Sequence, residues 1–300
     1  MLYSTTTAAQ KRQQLRERLA SGELVRMPGA FNPLSARLIA RKGFEGVYIS
    51  GAVISADLGL PDIGLTTLTE VAQRAGQIAR MTELPALVDA DTGFGEPMNV
   101  ARTLQTLEDA GLAGMHIEDQ VNPKRCGHLD GKAVVDTDTA VKRIRAAADA
   151  RRDENFLIMA RTDIRAVDGL DAAIDRARAL VDAGADAVFP EAMRDLSEFE
   201  AMASALDAPV LANMTEFGKS ELFSADQLRS AGVRMVIWPV SLLRMAMGAA
   251  ERALDTLTTD GHLTSQLDAM QHRADLYDLV DYEQYGHFDQ NVYTFTVTKS

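Results

Sequence analysis

The 300-residue sequence has a single cysteine, Cys126. No intramolecular disulfide can form, which fits a reducing compartment. Long apolar runs are missing too: the most apolar stretch, 235–243, contains Pro239 and is stopped by Arg244, so it is far too short to span a bilayer. Residues 1–18 lack a signal-peptide core and turn polar and basic by Gln10, so a cytoplasmic protein is expected. Basic charge is short as well, with 31 Lys and Arg against 43 Asp and Glu and a net charge of −12. A duplex binder normally carries a basic excess, so neither nucleic acid nor an anionic membrane is an expected partner. No Pro/Gly/Ser linker, low-complexity run or charge block divides the chain. What is present is ordinary globular composition, 46% apolar and 25% charged. The length suits two domains or one large α/β barrel.

Short apolar runs recur at 25–29, 46–50, 86–89, 115–118, 156–161, 187–190, 209–213 and 234–238. Each ends in a polar or turn-forming residue, as buried parallel strands do. The segments between them read as amphipathic helices. Thr67 and Glu70 form a capping box ahead of Val71, Ala72, Ala75 and Ile78 on one face. Asp109-Ala110-Gly111, Asp182-Ala183-Gly184 and Ser230-Ala231-Gly232 place glycine where a helix should stop before a strand. Eight such units predict a (β/α)₈ TIM-type barrel, with a doubly wound sheet as the alternative. Residues 264–283 read as helical, and four of the six tyrosines lie between 277 and 293. The expectation is one barrel domain, 1–300, with a C-terminal helical extension from about 261. Its aromatics need cover, from the same chain or from a neighbouring subunit.

In a barrel, chemistry collects where strands run out into the βα loops. Six of the eight run ends carry charged or hydrogen-bonding residues, more than a structural lid needs. Asp89 and Asp91 are spaced i, i+2, which on an extended chain points both carboxylates to one side. They repel unless a cation or proton lies between them. With Glu118 on the next strand they form a hard oxygen environment suited to Mg²⁺ or Mn²⁺; helix capping or arginine pairing is the blander explanation. The histidines His116, His128, His262, His272 and His287 have no zinc-ligand spacing. Met98 breaks a dinucleotide fingerprint at Gly93-Phe94-Gly95, Asn213 a P-loop ending at Gly218-Lys219-Ser220, and Tyr48 a nucleophile elbow at Ser50. Cys126 sits between Lys124-Arg125 and Gly127-His128. A lone cysteine is most often a small core hydrophobe, but basic neighbours lower a thiol's pKa and suit it to proton transfer.

The Lys124-Arg125-Cys126-Gly127-His128 run resembles the isocitrate lyase/phosphoenolpyruvate mutase superfamily when taken with Asp89 to Gly95 before it and Arg161-Thr162-Asp163 after it. The likeness extends from Met27 to about Tyr285. The cysteine loop points to the carbon–carbon lyases rather than the phosphonate mutases. The Asn213-Met214-Thr215-Glu216-Phe217-Gly218 loop is similar to the form that acts on 2-methylisocitrate. The resemblance implies Mg²⁺-dependent retro-Claisen cleavage of that tricarboxylate to pyruvate and succinate. Isocitrate, dimethylmalate and oxaloacetate are the alternative substrates within the superfamily, and a non-catalytic dicarboxylate-binding barrel is the alternative outside it. It implies metal carboxylates at Asp89 and Asp91, supported by Asp62 and Glu118, and Cys126 as the acid, tuned by His128 and Glu191. Tyr48 and Glu118 both stand as candidate bases. Substrate contacts are implied at Ser50, Gly51, Ala52, Cys126, Gly127, Arg161, Glu191, Asn213, Met214, Thr215, Arg244 and Arg273. Ala52 departs from the pattern by replacing a second glycine, so a methyl faces the site. A homotetramer with a C-terminal helix exchanged between barrels is also implied. Arg161, Arg244 and Arg273 suit a tricarboxylate, because guanidinium groups bind carboxylates in a forked geometry.

Overall fold

The computed structural model describes residues 4–124, 131–218 and 220–296. All eight expected strands form: β1 (Val25–Pro28), β2 (Val47–Ile49), β3 (Ala86–Asp89), β4 (Gly114–Glu118), β5 (Leu157–Thr162), β6 (Ala187–Pro190), β7 (Leu211–Asn213) and β8 (Met235–Trp238). The helices are α1 (Ala8–Ala20), α2 (Pro33–Arg41), α3 (Gly51–Asp57), α4 (Leu68–Ala79), α5 (Pro97–Asp109), α6 (Thr137–Ala150), α7 (Arg165–Asp168), α8 (Leu170–Asp182), α9 (Leu196–Ala205), α10 (Ala225–Ser230), α11 (Ser241–Asp260), α12 (Arg273–Leu279) and α13 (Tyr282–Tyr293). The Thr67–Glu70 capping box starts α4. Each Ala-Gly stop ends its helix, with Gly111 in the left-handed region at φ 86°.

Every strand pairing is parallel, with β2 to β6 in one run and β1, β8 and β7 in the other. Parallel bridges from Gly29 to Tyr48 and from Val188 to Val210 join the two runs and close the barrel. Closure brings β1 hard against the end of β8. A Cβ on Gly29 would fall 2.0 Å from the Pro239 carbonyl oxygen, so only glycine fits there.

The period-2 alternation of each strand divides the core. Val25, Met27, Tyr48, Leu87, Leu157, Met159, Phe189, Leu211, Met235 and Ile237 fill the barrel interior. The opposite parity packs outward against the helices, as Val88, Met115 and Ile158 do on one side and Val188, Ala212 and Val236 on the other. Helix α1 closes the lower end, a role the sequence reading did not assign. Its Leu15 is fully buried in the interior cluster. Arg12 donates to the carbonyls of Leu112 and Glu108, and Lys11 to that of Ala79.

Residues 264–283 are largely helical, as expected, but in separate pieces. A 3₁₀ turn, Thr264–Ala269, gives way to α12, whose N-cap is the His272 side chain. A left-handed Asp281, at φ 56°, then separates α12 from α13. Arg37 of α2 holds the α12 end through the Leu279 carbonyl and the Asp281 carboxylate. Helix α11 buries none of its residues, and Met245, Leu254, Phe288 and Tyr293 are exposed. Exchange of these helices between subunits is not shown. No helix among the described residues is long and apolar enough to cross a membrane.

Leu15→Ala is expected to cost about 2–5 kcal/mol, the usual range for a buried leucine. The denaturant midpoint should fall accordingly, and an unchanged midpoint would show that α1 is not a structural plug.

Candidate active site

The inward parity that is apolar deep in the barrel turns polar at its C-terminal mouth. On β3 it runs from Leu87 to Asp89, on β4 from Gly114 through His116 to Glu118, and on β5 from Met159 to Arg161. On β6 it leads from Phe189 to Glu191, and on β7 from Leu211 to Asn213 and Thr215. Register sets Asp89 beside His116, Glu118 beside Arg161 and Arg161 beside Phe189. A cavity of about 280 Å³ opens there. Tyr48, Ser50, Ala52, Asp62, Asp89, Lys124, Arg161, Glu191, Asn213, Thr215 and Arg244 line it, together with Phe189, Ile237, Pro239 and Val240.

One wall is anionic. Asp89 and Asp91 converge, but not on the extended backbone that their spacing suggested: β3 ends at Asp89, and Asp91 is left-handed at φ 47°. That twist lets the Asp91 amide donate to Asp89 Oδ1 at 3.0 Å. The Gly51 amide donates to Asp89 Oδ2 at 3.2 Å, and a Cβ on Gly51 would fall 2.9 Å from that oxygen. Gly51 thus shapes the wall instead of lining the cavity. Lys124 reaches into the cluster, with its ammonium on Asp62 and 2.6 Å from Asp91 Oδ1. Burial and the Asp89 charge push the Asp91 carboxyl up to about 6. Burial opposes ionisation of Asp89 too, but His116 when protonated, Lys124 and Arg161 outweigh it and hold that carboxyl at about 2. Burial works against the Lys124 charge, and the four surrounding carboxylates more than restore it.

These residues fit a hard divalent cation. Glu118 Oε1 is buried and accepts no hydrogen bond among the described residues, and carboxylate oxygen is the donor such an ion prefers. No three His, Cys, Asp or Glu side chains among the described residues are arranged to cage a metal on their own. Mg²⁺ commonly takes one or two carboxylates and fills its remaining positions with water and substrate oxygens.

The facing wall is built on Arg161. Its guanidinium lies 3.3 Å from Glu118, 3.0 Å from Asp163 and 3.2 Å from Glu191, over the Phe189 ring at 5.0 Å. Burial opposes its charge, and Asp163, Glu118 and Glu191 overcome the penalty. Asn213 donates to Glu191 Oε2 at 3.4 Å. Arg244, in the first turn of α11, donates to Thr215 Oγ1 at 3.1 Å and to Glu216 Oε2 at 3.0 Å. Two expected contacts are not brought here. Met214 has the outward parity, is buried in the outer core, and accepts the Phe223 amide at its sulfur. Arg273 is exposed at the start of α12 and does not line the cavity of its own chain. Cys126, Gly127 and His128 lie outside the described residues.

His116 was passed over in the sequence except as a failed zinc ligand. It is fully buried, with Nε2 2.7 Å from the Tyr48 hydroxyl and its ring stacked on Tyr48 and edge-on to Phe189. Its position two residues before Glu118 on one strand was the available signal, because both then share the inward face. Burial pulls its pKa down to about 4, against the Asp89 charge. Burial, reinforced by Asp89, pushes the Tyr48 hydroxyl well up, and burial also drives Glu118 well above the carboxylate range. The floor of the site is therefore neutral.

Known proteins resemble this chain along almost its whole length. The phosphoenolpyruvate phosphomutase family matches residues 15–258. The chain belongs to that family. A Corynebacterium glutamicum protein named probable 2-methylisocitrate lyase 2 is 60% identical over 296 residues, covering 98% of this chain and 96% of its own. Other curated relatives named 2-methylisocitrate lyase extend down to 42% identity. Among solved structures, oxaloacetate acetylhydrolase bound to 3,3-difluorooxalacetate is 33% identical with a TM-score of 0.90, covering 96% of this chain and 99% of that one. A 2,3-dimethylmalate lyase of the PEP mutase/isocitrate lyase superfamily is 35% identical with a TM-score of 0.88, covering 99% and 100%. A phosphonopyruvate hydrolase complexed with oxalate and Mg²⁺ is 26% identical with a TM-score of 0.84, covering 93% and 98%. The fold is thus the superfamily's TIM-type barrel, and the chain is a carbon–carbon lyase.

The neutral floor has a measurable consequence. Because the folded pKa of His116 lies below the ordinary 6.5, acidification protonates the unfolded chain first. Stability is complete above about pH 6.5 and is lost as pH falls toward 4, by up to about 3 kcal/mol from this group. His116→Gln should remove that part of the pH slope in denaturant titrations. An identical slope in both proteins would show that His116 titrates normally.

Proposed function

We propose that the chain cleaves 2-methylisocitrate to pyruvate and succinate with the aid of Mg²⁺. One observation carries this reading: a single cavity sets a carboxylate cluster against two arginines, Arg161 and Arg244. A substrate bearing a metal-binding hydroxy acid at one end and further carboxylates at the other spans such a cavity. The 60% identity to the Corynebacterium glutamicum protein supports the choice of 2-methylisocitrate among these acids.

Asp89, Asp91 and Glu118, backed by Asp62, would hold the Mg²⁺, which when bound supplies Lewis-acid stabilisation to the oxygen that becomes the ketoacid carbonyl. Ser50 and Ala52 orient the fragment leaving as pyruvate, and Gly51 acts there through its amide on Asp89. Tyr48 and Glu118 can each take the hydroxyl proton, yet burial keeps both protonated in the empty site. The His116 Nε2 contact at 2.7 Å fixes the Tyr48 hydroxyl in place, and Tyr48 and Glu118 both stand as candidate bases. Breaking the carbon–carbon bond leaves a succinate enediolate. Arg161, with Asn213, Thr215 and Arg244, neutralises it through preorganised donors. Cys126, tuned by His128 and Glu191, then delivers a proton to carbon, with Gly127 as a further substrate contact. Mn²⁺ can replace Mg²⁺ on the same oxygen ligands.

The net charge of −12 supports a small-molecule partner over nucleic acid, and a cytoplasmic setting suits the single cysteine. The chain is taken as one barrel domain with a C-terminal extension. The exposed apolar residues of α11 and α13 support a homotetramer in which these helices are exchanged. Light scattering should give a mass near four chains. Truncation at Gly261 should give smaller, less active species, and a truncated chain with undiminished mass and turnover would oppose the exchange.

The deciding experiment is a panel of 2-methylisocitrate, isocitrate, 2,3-dimethylmalate and oxaloacetate assayed on one preparation. The highest kcat/KM is expected for 2-methylisocitrate. Isocitrate should follow roughly 10–200-fold lower, the usual discrimination for one methyl. A higher value for any of the others would overturn the assignment. Chelator should abolish turnover and Mg²⁺ restore it, whereas full activity in excess chelator would remove the metal. Cys126→Ser should lose about 10²–10⁴-fold in kcat, as expected for a lost general acid; near-normal turnover would return Cys126 to a packing role.

A further inference from the structure

The mouth of the barrel holds a lysine that the reaction above does not use. Residues 131–135 return alongside the end of β4. The Val121 amide donates to the Ala133 carbonyl at 2.8 Å, and the Val135 amide to the Asp119 carbonyl at 2.9 Å. These bonds fix the strand-like return that carries Lys132 inward. Its ammonium lies 2.7 Å from Asp163 Oδ1, with only 2% of the side chain exposed and none of Asp163. The same Asp163 carboxylate accepts from Arg161 Nε at 3.0 Å. The Asp163 backbone amide is in turn held by Asp119 Oδ1 at 2.9 Å, and Asp119 is paired with Arg176 at 3.0 Å.

Charge bookkeeping around Arg161 gives this contact a meaning. The guanidinium faces Glu118, Asp163 and Glu191, while the reading of the site asks it to receive a fourth carboxylate, from the substrate. With Glu118 protonated, one guanidinium shared by Asp163 and Glu191 is already satisfied and presents no net attraction to another anion. A second buried cation on Asp163 changes that balance. Asp119 and Arg176 form their own pair and leave it unaltered.

We propose that Lys132 is a positioning residue that takes up the charge of Asp163 and so leaves Arg161 able to bind a substrate carboxylate. This rests on the assignment of Arg161 as a carboxylate receptor. Lys132 does not line the cavity and touches no reacting atom, so it acts on affinity through Asp163 and Arg161.

The test uses the full-length enzyme with Mg²⁺ and follows succinate binding by calorimetry alongside kcat and KM. Lys132→Met should weaken succinate binding and raise KM by about tenfold or more, with kcat changed far less. That is the pattern of lost uniform binding. Lys132→Arg should restore both to near wild type. The decisive variant is Lys132→Met combined with Asp163→Asn. Removing both charges should recover most of the lost affinity, which a merely structural lysine would not do. If the single Met variant does not fold, the double variant still carries the comparison with wild type. Wild-type succinate affinity in a folded Lys132→Met protein, or a double variant as weak as the single one, would overturn the proposal. Arg161→Met separates the two layers. Unimpaired succinate binding there would sink the receptor assignment itself, whereas lost binding there beside wild-type binding in Lys132→Met would sink only the role of Lys132.

Discussion

The buried guanidinium of Arg161 is the contact on which the mouth of this barrel depends. Taking an ion out of water costs several kcal/mol unless partners replace the lost hydration. Here the partners come from three strand ends, Glu118 of β4, Asp163 just after β5 and Glu191 just after β6, with the Phe189 face beneath. Removing Arg161 would leave these acids facing one another in a dry site. The ion pairs also tie β4, β5 and β6 together at the level where their backbone ladder ends. The donors that would meet a substrate carboxylate are thereby held before the substrate arrives, which is what electrostatic catalysis requires.

Alternation along the strands makes that arrangement possible. On β3, β5 and β7 the first inward polar group stands two residues above an inward apolar one: Asp89 over Leu87, Arg161 over Met159, Asn213 over Leu211. The apolar layer fills the barrel and has no room to move. The polar layer inherits its rigidity, while Leu15 closes the opposite end. Stability is concentrated below and chemistry above, the usual division in this architecture. His116 belongs to the boundary. It sits in the strand row of the charged residues but is kept neutral by burial, so it separates the dry interior from the ionised mouth while holding the Tyr48 hydroxyl.

What could be read from the sequence follows from the same physics. Strands buried on both faces leave continuous apolar runs, so all eight were visible, and strand-end residues such as Asp89, Glu118 and Arg161 could be placed because parity is inherited from the run before them. Parity sends Asn213 and Thr215 inward and Met214, which the family resemblance placed among the substrate contacts, outward into the core. The Asp89–Asp91 pair converges for a different reason than the spacing implied, because a left-handed backbone at Asp91 leaves no mark in a one-dimensional pattern. Helix α1 was invisible because most of its face is charged: Lys11, Arg12 and Arg16 bind backbone carbonyls at the ends of the barrel helices and strands, and its apolar plug is Leu15, with Leu19 packed beside it. Lys132 carried no signal at all, since its partner Asp163 is 31 residues away.

The C-terminal helices connect the site to the rest of the molecule. Arg244 lies in the first turn of α11 and binds the β7 loop through Thr215 and Glu216, while Ser241 in the same turn also bonds Glu216. No later residue of α11 is fully buried in this chain. Its far end bonds the turn that follows, through Gln266 and Thr256, and Met245, Met247, Leu254 and Leu257 are exposed. Contacts that cover those residues would anchor the helix along its length. The two arginines therefore differ in how they are positioned. Arg161 is set by the barrel itself, and Arg244 is set only as firmly as α11 is anchored.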